Sequence, residues 1–301
     1  MKKGVYRSPL FYVGDKHKLI PEIKNYFPCP INRLIEPFVG GGSVFLNIDA
    51  NYYLLNDIDS YVIAIHKMLC SYSNKGQDFF RDIFSLINKY GLSLSYHKNT
   101  VPNDLRLAFP KTYFAKFNKE AYSHLKFDFN NNKQNNILQL YTLLIYGFNH
   151  MLRFNKAGDF NLPVGNVDFN HNTHQALVDY FTILQQKQVT WFNQDFMEFL
   201  TNIDYQYNDL IYLDPPYLIT SSEYNKLWDT NNERKMLTLL DKLNDQNIHF
   251  AISNITHYKG RVNSIFLDWS SRYNSHPIKS NYISFNDNTI KTFNEVLVTN
   301  F

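Results

Sequence analysis

The chain has few cysteines and no long apolar run. Cys29 and Cys70 are the only cysteines among its 301 residues, which excludes a disulfide framework and a CxxC metal pair. This cysteine content fits a reducing, intracellular compartment. The N-terminal residues lead into no extended hydrophobic stretch, so we expect neither a signal peptide nor a transmembrane segment.

The chain also has little excess charge of either sign. Its net charge of +3 and pI of 8.6 permit a nucleic-acid partner but do not by themselves argue for one. Aromatic residues are abundant, at 17%, and so are Asn and Lys, a bias typical of an AT-rich genome, so we give it little functional weight. The length allows one large domain or one domain with a sizeable insertion.

The most informative stretch is a short acidic proline motif after an apolar run. Residues 210–213 read as a buried strand, and the two prolines that follow force the chain to turn. The motif consists of Asp214, Pro215, Pro216 and Tyr217. Its carboxylate, backbone carbonyls and aromatic ring suit a flat, aminated heterocycle. The structural alternative is a proline-rich turn with a surface acid and a packing aromatic.

Upstream, residues 33–45 read as a strand, a glycine-rich turn and a helix. The glycines at 40–42 let a ligand approach the backbone closely, next to the free amides of a helix start. Residues 53–57 form a second predicted strand ending in Asp57, where an acid commonly accepts hydrogen bonds from ribose hydroxyls. Asp57 has a second interpretation, as the cap of a helix over 60–69. Together these elements predict a nucleoside-binding βαβ unit.

Before this unit, the pattern predicts a helix over 15–26 that Asp15 caps. A positive charge near the start of a helix is unfavourable to the helix dipole, so an exposed Lys16 would not stabilise that helix. Two interpretations of Lys16 remain: a lysine positioned for the carboxylate of a ligand, or a solvated surface lysine.

Between the two motifs the pattern changes, over residues 71–165. Helices are predicted at 78–90 and 137–146, with an Asn-rich loop at 130–136, and Gly158 marks a tight hairpin turn. Arg153 could read guanine edges on this hairpin, and Asn149 and Asn155 could read adenine edges. The alternative is a surface hairpin with solvated polar groups.

The remaining chain returns to strand–helix alternation. Strands are predicted at 189–193 and 248–254, a helix at 231–243, and a closing antiparallel pair at 282–285 and 295–299. Alternation across both halves predicts an α/β sheet.

The order of these motifs resembles the alpha-group, Dam-type DNA adenine-N6 methyltransferases. A Lys16 segment comes first, followed by the stretch from Glu36 to Gly42, a long insertion and the Asp-Pro-Pro-Tyr motif. The hairpin pattern at 153–165, the stretch from 218 to Trp228 and the C-terminal stretch at 294–300 are also similar to that family. Tyr12 and Met151 stand where many relatives carry Trp and Leu, and residues 92–136 have no clear match.

The resemblance implies an α/β fold with a Rossmann-like methyltransferase sheet and an inserted, mainly helical target-recognition domain that ends in a β-hairpin. The catalytic domain would comprise residues 1–70 and 166–301, and the target-recognition domain residues 71–165. The implied cofactor is S-adenosylmethionine as methyl donor, with no metal. The implied partners are double-stranded DNA and, in a restriction-modification system, a cognate restriction endonuclease acting on the same site.

The resemblance also implies roles for individual residues. Asp214 and the Pro215 carbonyl accept the hydrogens of the target amine, and Tyr217 stacks on the flipped base. S-adenosylmethionine is held by Tyr12, Lys16, Glu36, Phe38, Gly40, Asp57 and Asp214. DNA is contacted by Asn149, Met151, Arg153, Asn155 and Pro163. The implied target is adenine, with GATC as the site, although relatives with similar hairpins modify other sites.

Two other functions remain open at this point. A methyltransferase acting on an RNA base or a protein glutamine uses a similar acidic proline motif. A catalytically silent DNA-binding protein on the same fold is the other possibility. The long insertion argues against the first, and the combined presence of Lys16, Asp57, Asp214 and Tyr217 argues against the second.

Overall fold

The computed structural model of the protein describes residues 4–98, 101–132, 135–220, 228–278 and 293–301. Within these ranges the chain forms eight β-strands and eleven α-helices. The strands are β1 (Arg33–Glu36), β2 (Tyr52–Asn56), β3 (Gln188–Phe192), β4 (Leu210–Leu213), β5 (His249–Tyr258), β6 (Arg261–Val262), β7 (Asn274–Ile278) and β8 (Phe293–Thr299). The helices are α1 (Ile20–Ile23), α2 (Ser43–Asn47), α3 (Ser60–Ser71), α4 (Gly76–Tyr90), α5 (Asn103–Ala108), α6 (Tyr113–Asn131), α7 (Ile137–Tyr146), α8 (His171–Leu184), α9 (Phe196–Thr201), α10 (Thr230–Asp245) and α11 (Ser264–Ser270).

All described strands belong to one mostly parallel sheet, in the order β3-β2-β1-β4-β5-β8-β7, with β6 paired to β5. The first five strands in this order are parallel, and β8 runs antiparallel to β5 and to β7. The order reverses at β1, which lies between β2 and β4. Open α/β sheets bind ligands outside the carboxyl ends of the strands at such a reversal.

The chain divides into two compact units. The unit that contains the sheet, here called the sheet unit, consists of Lys16–Val39, Asn47–Ile58 and Gln188–Phe301. The helical unit consists of Met1–Asp15, Gly40–Leu46 and Asp59–Lys187.

The core of the sheet unit forms around β4, which has no charged residue. All four residues of β4 are buried, as expected for a parallel strand covered on both faces. Side chains of β1, β4, β5 and β8 pack with those of α9, α10 and α11 in one hydrophobic cluster. Helix α10 begins at a polar cap, where Asp229 Oδ1 accepts a hydrogen bond from the Asn232 amide at 2.8 Å. These elements hold the carboxyl ends of β1 and β4 in place.

The helical unit is built around α7, which is almost entirely buried. Helix α6 packs on α7 through the face that carries its buried side chains. These are Asn118, Tyr122, Leu125 and Phe129, whose spacing of four, three and four residues follows one face of a helix. The sequence interpretation left residues 92–136 without a helix, and both α5 and α6 lie there.

Most of the predicted elements are confirmed within one or two residues, but the N-terminal helix is not. It begins at Ile20 with Leu19 as its N-cap, so the prediction that Asp15 caps it is wrong. Pro21 lies in its first turn, the only part of a helix interior that tolerates proline. After Ile23 the chain continues as a short 3₁₀ turn, Lys24–Tyr26.

The predicted strand at 295–299 is confirmed and lies in β8. Its neighbours in the sheet are β5 and β7. The other predicted strand, at 282–285, lies outside the described residues.

Candidate active site

The acidic proline motif lies at the carboxyl end of β4, directly after the buried Leu213. Its neighbour β1 ends at Glu36, so the motif stands at the point where the strand order reverses. Pro215 is buried, whereas the Asp214 side chain keeps 21% of its surface exposed. The structure therefore presents one carboxylate at the sheet edge where ligands bind.

Lys16 belongs to this site and is not a solvated surface lysine. Its side chain is only 3% exposed, and Nζ lies 2.7 Å from Asp214 Oδ2. Nζ also lies 3.6 Å from Oε1 of Glu295, a residue of β8 whose side chain is 1% exposed. The sequence interpretation assigned no role to Glu295. Glu295 is an acid at the start of the apolar stretch of β8. Because acids are rarely buried, this position is the signal that could have identified it.

Tyr217 joins both carboxylates. Its hydroxyl donates to Asp214 Oδ1 at 2.8 Å and to Glu295 Oε1 at 3.3 Å. Burial, and next the negative charge of Asp214, raise the pKa of Tyr217 well above its ordinary value, so the hydroxyl keeps its proton. The Lys16 ammonium lies 5.2 Å from the centre of the Tyr217 ring. The ring itself is half-buried.

The ends of β1 and β2 are joined by a buried asparagine. Asn56 Nδ2 donates to the carbonyls of Pro37 and Gln194, both at 3.0 Å. The carbonyl of Asp57 accepts from Asn193 Nδ2 at 2.8 Å. These bonds fix the backbone at Pro37, directly after Glu36, and at Asp57. Glu36 and Asp57 are the two acids assigned to the cofactor from the sequence.

The capping interpretation of Asp57 is wrong. Helix α3 is capped by Asp59, whose Oδ1 accepts from the Tyr61 amide at 2.9 Å and from the Val62 amide at 3.4 Å. Asp57 lies just before, at the carboxyl end of β2, with a half-buried side chain. This is the position from which an acid can reach a ribose.

Two aromatic rings flank Phe38, the residue that follows Pro37. Phe38 lies 5.2 Å from Phe196 and 5.7 Å from Trp228, and those two rings are 5.4 Å apart. Trp228 Nε1 donates to Glu233 Oε2 at 2.7 Å, which fixes its orientation. A cluster of aromatic rings suits the adenine of an adenosine group. The sequence interpretation named Trp228 only as part of the resemblance, and residues 221–227 lie outside the described ranges.

In the helical unit, the glycine turn adopts a conformation that only glycine tolerates well. Gly40 and Gly42 have positive φ values of 48° and 80°. A Cβ on Gly41 would lie 2.8 Å from Tyr12 Cβ, and one on Gly42 would collide with the Phe45 ring. Tyr12 also borders Gly40, where its ring would lie 3.5 Å from an added Cβ. The turn is closely packed because its residues lack side chains.

A buried histidine holds this turn from behind. His66 Nε2 lies 2.8 Å from the Gly40 carbonyl, and Nδ1 lies 2.7 Å from the Tyr180 hydroxyl. Burial lowers the pKa of His66 to about 4, partly offset by the bond to Gly40. A neutral ring explains both contacts, because Nε2–H donates to the carbonyl while Nδ1 accepts from the tyrosine. His66 therefore positions the glycine turn, a role that the sequence pattern did not indicate.

This histidine predicts a specific loss of stability in acid. The pKa of His66 rises from about 4 in the folded protein to 6.5 in the unfolded chain, so its contribution is complete above pH 6.5. It is lost as the pH falls towards 4, by roughly 3 kcal/mol in total. We expect His66→Gln to flatten the dependence of unfolding free energy on pH across this window. Denaturant titrations from pH 4 to 8 test this. At pH 8, where the histidine is neutral in both states, the difference in unfolding free energy between wild type and variant gives the loss of stability from altered packing. A wild-type slope in the variant would contradict it.

The predicted hairpin is present in the helical unit. Antiparallel bridges join Phe154 to Phe160 and Gly147 to Val164, and Gly158 has a φ of 87° at the turn. Arg153 lies on its first arm, and its guanidinium holds the opposite arm. Nε donates to Asn161 Oδ1 at 2.9 Å, and Nη2 donates to the Asn161 carbonyl at 2.7 Å.

The other candidate DNA contacts on the hairpin differ in how exposed they are. Asn155 shapes the turn, because its Oδ1 accepts from the amides of Ala157 and Asp159, both at 2.9 Å. Asn149 is exposed, with a positive φ of 54°. Met151 is half-buried and Pro163 is exposed. Beside Asn149, the Phe148 ring is 52% exposed, an unusual position for a large apolar side chain.

In the described part of the chain, no group of three or more His, Cys, Asp or Glu side chains has an arrangement that could hold a metal ion. Among the same residues, no helix is long and apolar enough to cross a membrane.

The acidic proline motif at residues 214–217, here called the ledge, lies at the edge of an α/β sheet where ligands bind. The sequence profile described as D12 class N6 adenine-specific DNA methyltransferase matches residues 12–284, so the chain belongs to that family. This confirms the resemblance drawn from the sequence.

Individual relatives span both modification methylases and adenine methylases. The chain is 34% identical to Type II methyltransferase M.FokI of Planomicrobium okeanokoites and 33% identical to modification methylase StsI of Streptococcus sanguinis. These matches cover 98% and 99% of this chain but 43% of each relative, so the chain spans less than half the length of either. It is 27% identical to the DNA adenine methylase of Escherichia coli K12, over 99% of this chain and 95% of that protein.

Proposed function

We propose that this chain transfers a methyl group from S-adenosylmethionine to the N6 amine of a flipped-out adenine in double-stranded DNA. The observation that carries the proposal is the ledge after β4, where Lys16 and Tyr217 hold the partly exposed Asp214 carboxylate. Family membership supports the same reaction. Because the substrate is DNA, the activity belongs in the cytoplasm of a bacterial or phage-infected cell.

The residues present fit S-adenosylmethionine by the chemistry of their side chains. Phe38, with its neighbouring rings, suits the adenine, and Asp57 suits the ribose hydroxyls. The acidic ledge suits the positive charge of the methionine end. We assign Tyr12, Lys16, Glu36 and Gly40 to the same ligand, as the family resemblance implies. When bound, the cofactor supplies an electrophilic methyl group on a sulfonium.

Asp57 yields a binding prediction. Asp57→Ala should weaken S-adenosylmethionine binding by about 1.5–3 kcal/mol, the range for a hydrogen bond to a charged group. Isothermal calorimetry on the free enzyme measures this. Asp59→Ala is the matched control, because Asp59 caps α3 two residues further on and should change stability without a comparable change in affinity. An unchanged affinity in Asp57→Ala would refute the ribose role.

At the reacting centre, the chain's own groups orient the amine. Two oxygens of Asp214 already accept from Lys16 and Tyr217, but a carboxylate offers about four lone-pair positions, so capacity remains for an amine hydrogen. We assign the second hydrogen to the Pro215 carbonyl. Accepting both hydrogens makes the nitrogen more tetrahedral and localises its lone pair towards the methyl group. Catalysis then rests on positioning and electrostatics.

The target adenine must leave the duplex, because its amine is otherwise paired and out of reach. Tyr217 would stack on the extruded base, with its hydroxyl held by the two carboxylates. The exposed Phe148 has the character of an apolar wedge that separates neighbouring bases. We assign residues 71–165 to target recognition, and the remaining residues to catalysis.

One assay separates this proposal from its rivals. The chain is incubated with labelled S-adenosylmethionine and with duplex DNA, RNA or protein in turn. Label in DNA adenine supports the proposal, label only in RNA or protein replaces the substrate, and no label in any of them indicates a silent binding protein. Sequencing the methylated DNA at single-base resolution then identifies the site, with GATC as the starting hypothesis. A cognate endonuclease, if present in the same system, would fail to cut DNA methylated by this chain.

A further inference from the structure

A fully buried glutamate of α10 accepts hydrogen bonds from three side chains. Glu233 has no exposed surface, and its Oε2 accepts from Trp228 Nε1 at 2.7 Å. Its Oε1 accepts from Asn254 Nδ2 at 3.1 Å and from Asn263 Nδ2 at 3.0 Å. Asn254 lies in β5, and Asn263 is the N-cap of α11. All four residues belong to the sheet unit, so one side chain ties the indole to the core of that unit.

The three partners of Glu233 act only as donors in this arrangement. An indole has one N–H and no acceptor. The Oδ1 atoms of the two asparagines are engaged elsewhere. That of Asn263 accepts from the Phe266 amide at 3.2 Å, and that of Asn254 accepts from the Ile255 amide at 2.7 Å. Each Nδ2 is therefore left to face the glutamate, and both oxygens of Glu233 have to accept. A glutamine, with one oxygen and one N–H₂ group, cannot meet this requirement.

Trp228 is part of the ring cluster assigned to the cofactor adenine. Its indole lies edge-on to Phe38, with ring centres 5.7 Å apart, and 5.4 Å from Phe196. Phe196 is buried, whereas Phe38 and Trp228 are half-buried and keep surface that a ligand can cover. An indole held in one position gives the cluster a constant shape, which reduces the ordering cost of ligand binding.

We propose that Glu233 is a positioning residue for S-adenosylmethionine, because it holds Trp228 beside the Phe38 ring. This inference rests on the proposed methyltransferase function and adds a residue that acts through another side chain. Adenosine is common to S-adenosylmethionine and its product S-adenosylhomocysteine, so both ligands should depend on Glu233 to the same extent. The structural alternative is that Glu233 only stabilises α10, since an acid in the first turn of a helix is favourable to its dipole.

The first test is the affinity of Glu233→Gln for both ligands, measured by calorimetry without DNA. The glutamine orientation that keeps the bonds to both asparagines turns the N–H₂ group towards the indole N–H. A donor then faces a donor, so the Trp228 ring should leave its position. Both affinities should fall roughly tenfold, as expected when a buried polar group loses its partner.

The matched control is Asp241→Asn. Asp241 also lies on α10, and its Oδ1 accepts from an indole, that of Trp269, at 2.7 Å. Trp269 packs against Phe250 and Phe266. The control therefore alters the same kind of bond on the same helix, but at a different indole, and should leave both affinities unchanged.

A second variant shows whether Glu233 acts through the indole. Trp228→Phe keeps an aromatic ring without the N–H, so it should weaken binding to an extent similar to Glu233→Gln. In the Trp228→Phe background, Glu233→Gln has no indole donor to oppose and should cause no further loss. A ligand-free readout is the indole N–H signal of Trp228 in nuclear magnetic resonance spectra, identified by its absence from Trp228→Phe. This signal should shift in Glu233→Gln more than those of Trp191 and Trp269.

Each outcome is decisive. If wild type binds both ligands and Glu233→Gln keeps the wild-type affinities, or leaves the Trp228 signal in place, this inference is overturned and the proposed function stands. An equal loss from Glu233→Gln with and without the Trp228 indole also overturns it, because Glu233 would then act on the fold alone. If wild type binds neither ligand, the proposed function and this inference fall together. If Glu233→Gln does not fold, as judged by circular dichroism, Trp228→Phe decides: wild-type affinity in that variant overturns the inference.

Discussion

Asp214→Ala is expected to lower the rate of DNA methylation by ~10²–10³ or more, because it removes a positioned acceptor at the reacting centre. The carboxylate is held by Lys16 at 2.7 Å and by Tyr217 at 2.8 Å, so both of its oxygens are fixed in position. Single-turnover methylation of a duplex that contains the preferred site measures the chemical step directly. Turnover near that of wild type would refute the assigned mechanism.

The same substitution also perturbs a buried ion pair, which has to be separated from catalysis. Removing one partner of such a pair costs about 3–5 kcal/mol when the other charge is left alone. Here Glu295 remains 3.6 Å from Lys16, so we expect a smaller loss of stability. Asp214→Asn is the matched variant, since it keeps the size of the side chain and one acceptor oxygen. If both variants lose most of the methylation rate and Asp214→Asn keeps the unfolding temperature of wild type, the loss is assigned to the chemical step.

The sequence predicted the sheet best at its central strands, where the residues are buried on both faces. Strand β4 is a short apolar run because a parallel strand inside the sheet is covered on both faces, and Leu34 and Ile35 of β1 are buried for the same reason. The glycine turn was also predictable, because glycines between a predicted strand and a predicted helix indicate a tight turn. These signals are local, and local signals survive in a single sequence.

The helices of the helical unit were harder to predict. Helix α6 carries Asn118 among its buried positions and has exposed Phe117 and Phe127, so polarity alone does not mark its inner face. Asn118 is buried because its amide bonds to Ser93, at 2.8 Å to the backbone and 3.0 Å to the hydroxyl. Such a partner is remote in sequence, and its contribution becomes visible only in the folded chain.

The site was predictable in its residue types but not in its charge network. The motif order identified Lys16, Asp214 and Tyr217 separately, yet nothing local shows that Lys16 serves two acids. Glu295 comes from β8, which enters the sheet between β5 and β7, a register set by tertiary packing. His66 was missed for a similar reason, because its partners, Gly40 and Tyr180, are distant in sequence.

The other prediction with a large expected effect concerns recognition of a DNA base by Arg153. Its guanidinium uses Nε and Nη2 to hold Asn161, at 2.9 Å and 2.7 Å. A guanidinium has five N–H donors, so Nη1 and a second hydrogen of Nη2 remain for an end-on pair of bonds to guanine. The bond to Asn161 fixes the plane of the fork and reduces the entropy lost on binding. The hairpin therefore prepares Arg153 for a planar acceptor pair.

If Arg153 reads guanine, Arg153→Ala should relax specificity at one base pair, by about 1–3 kcal/mol, and leave the other positions as they were. An arginine that contacts a phosphate would act in the opposite way, lowering affinity for all sequences and reducing the salt slope by about one. Lys156→Ala, at an exposed position of the same hairpin, is the control for a general loss of positive charge.

The measurement is a methylation profile of wild type and variants across all single-base changes of the site. Asn161→Ala should weaken discrimination at the same base pair as Arg153→Ala, though less, because it removes the Nε bond to the Asn161 side chain but keeps the Nη2 bond to the Asn161 backbone carbonyl. A uniform loss in Arg153→Ala would assign this arginine to the DNA backbone. Methylation by wild type outside GATC would remove that site assignment. The chemistry at Asp214 would be unaffected, because the sheet unit contributes Lys16, Tyr217 and Glu295 to it without the hairpin.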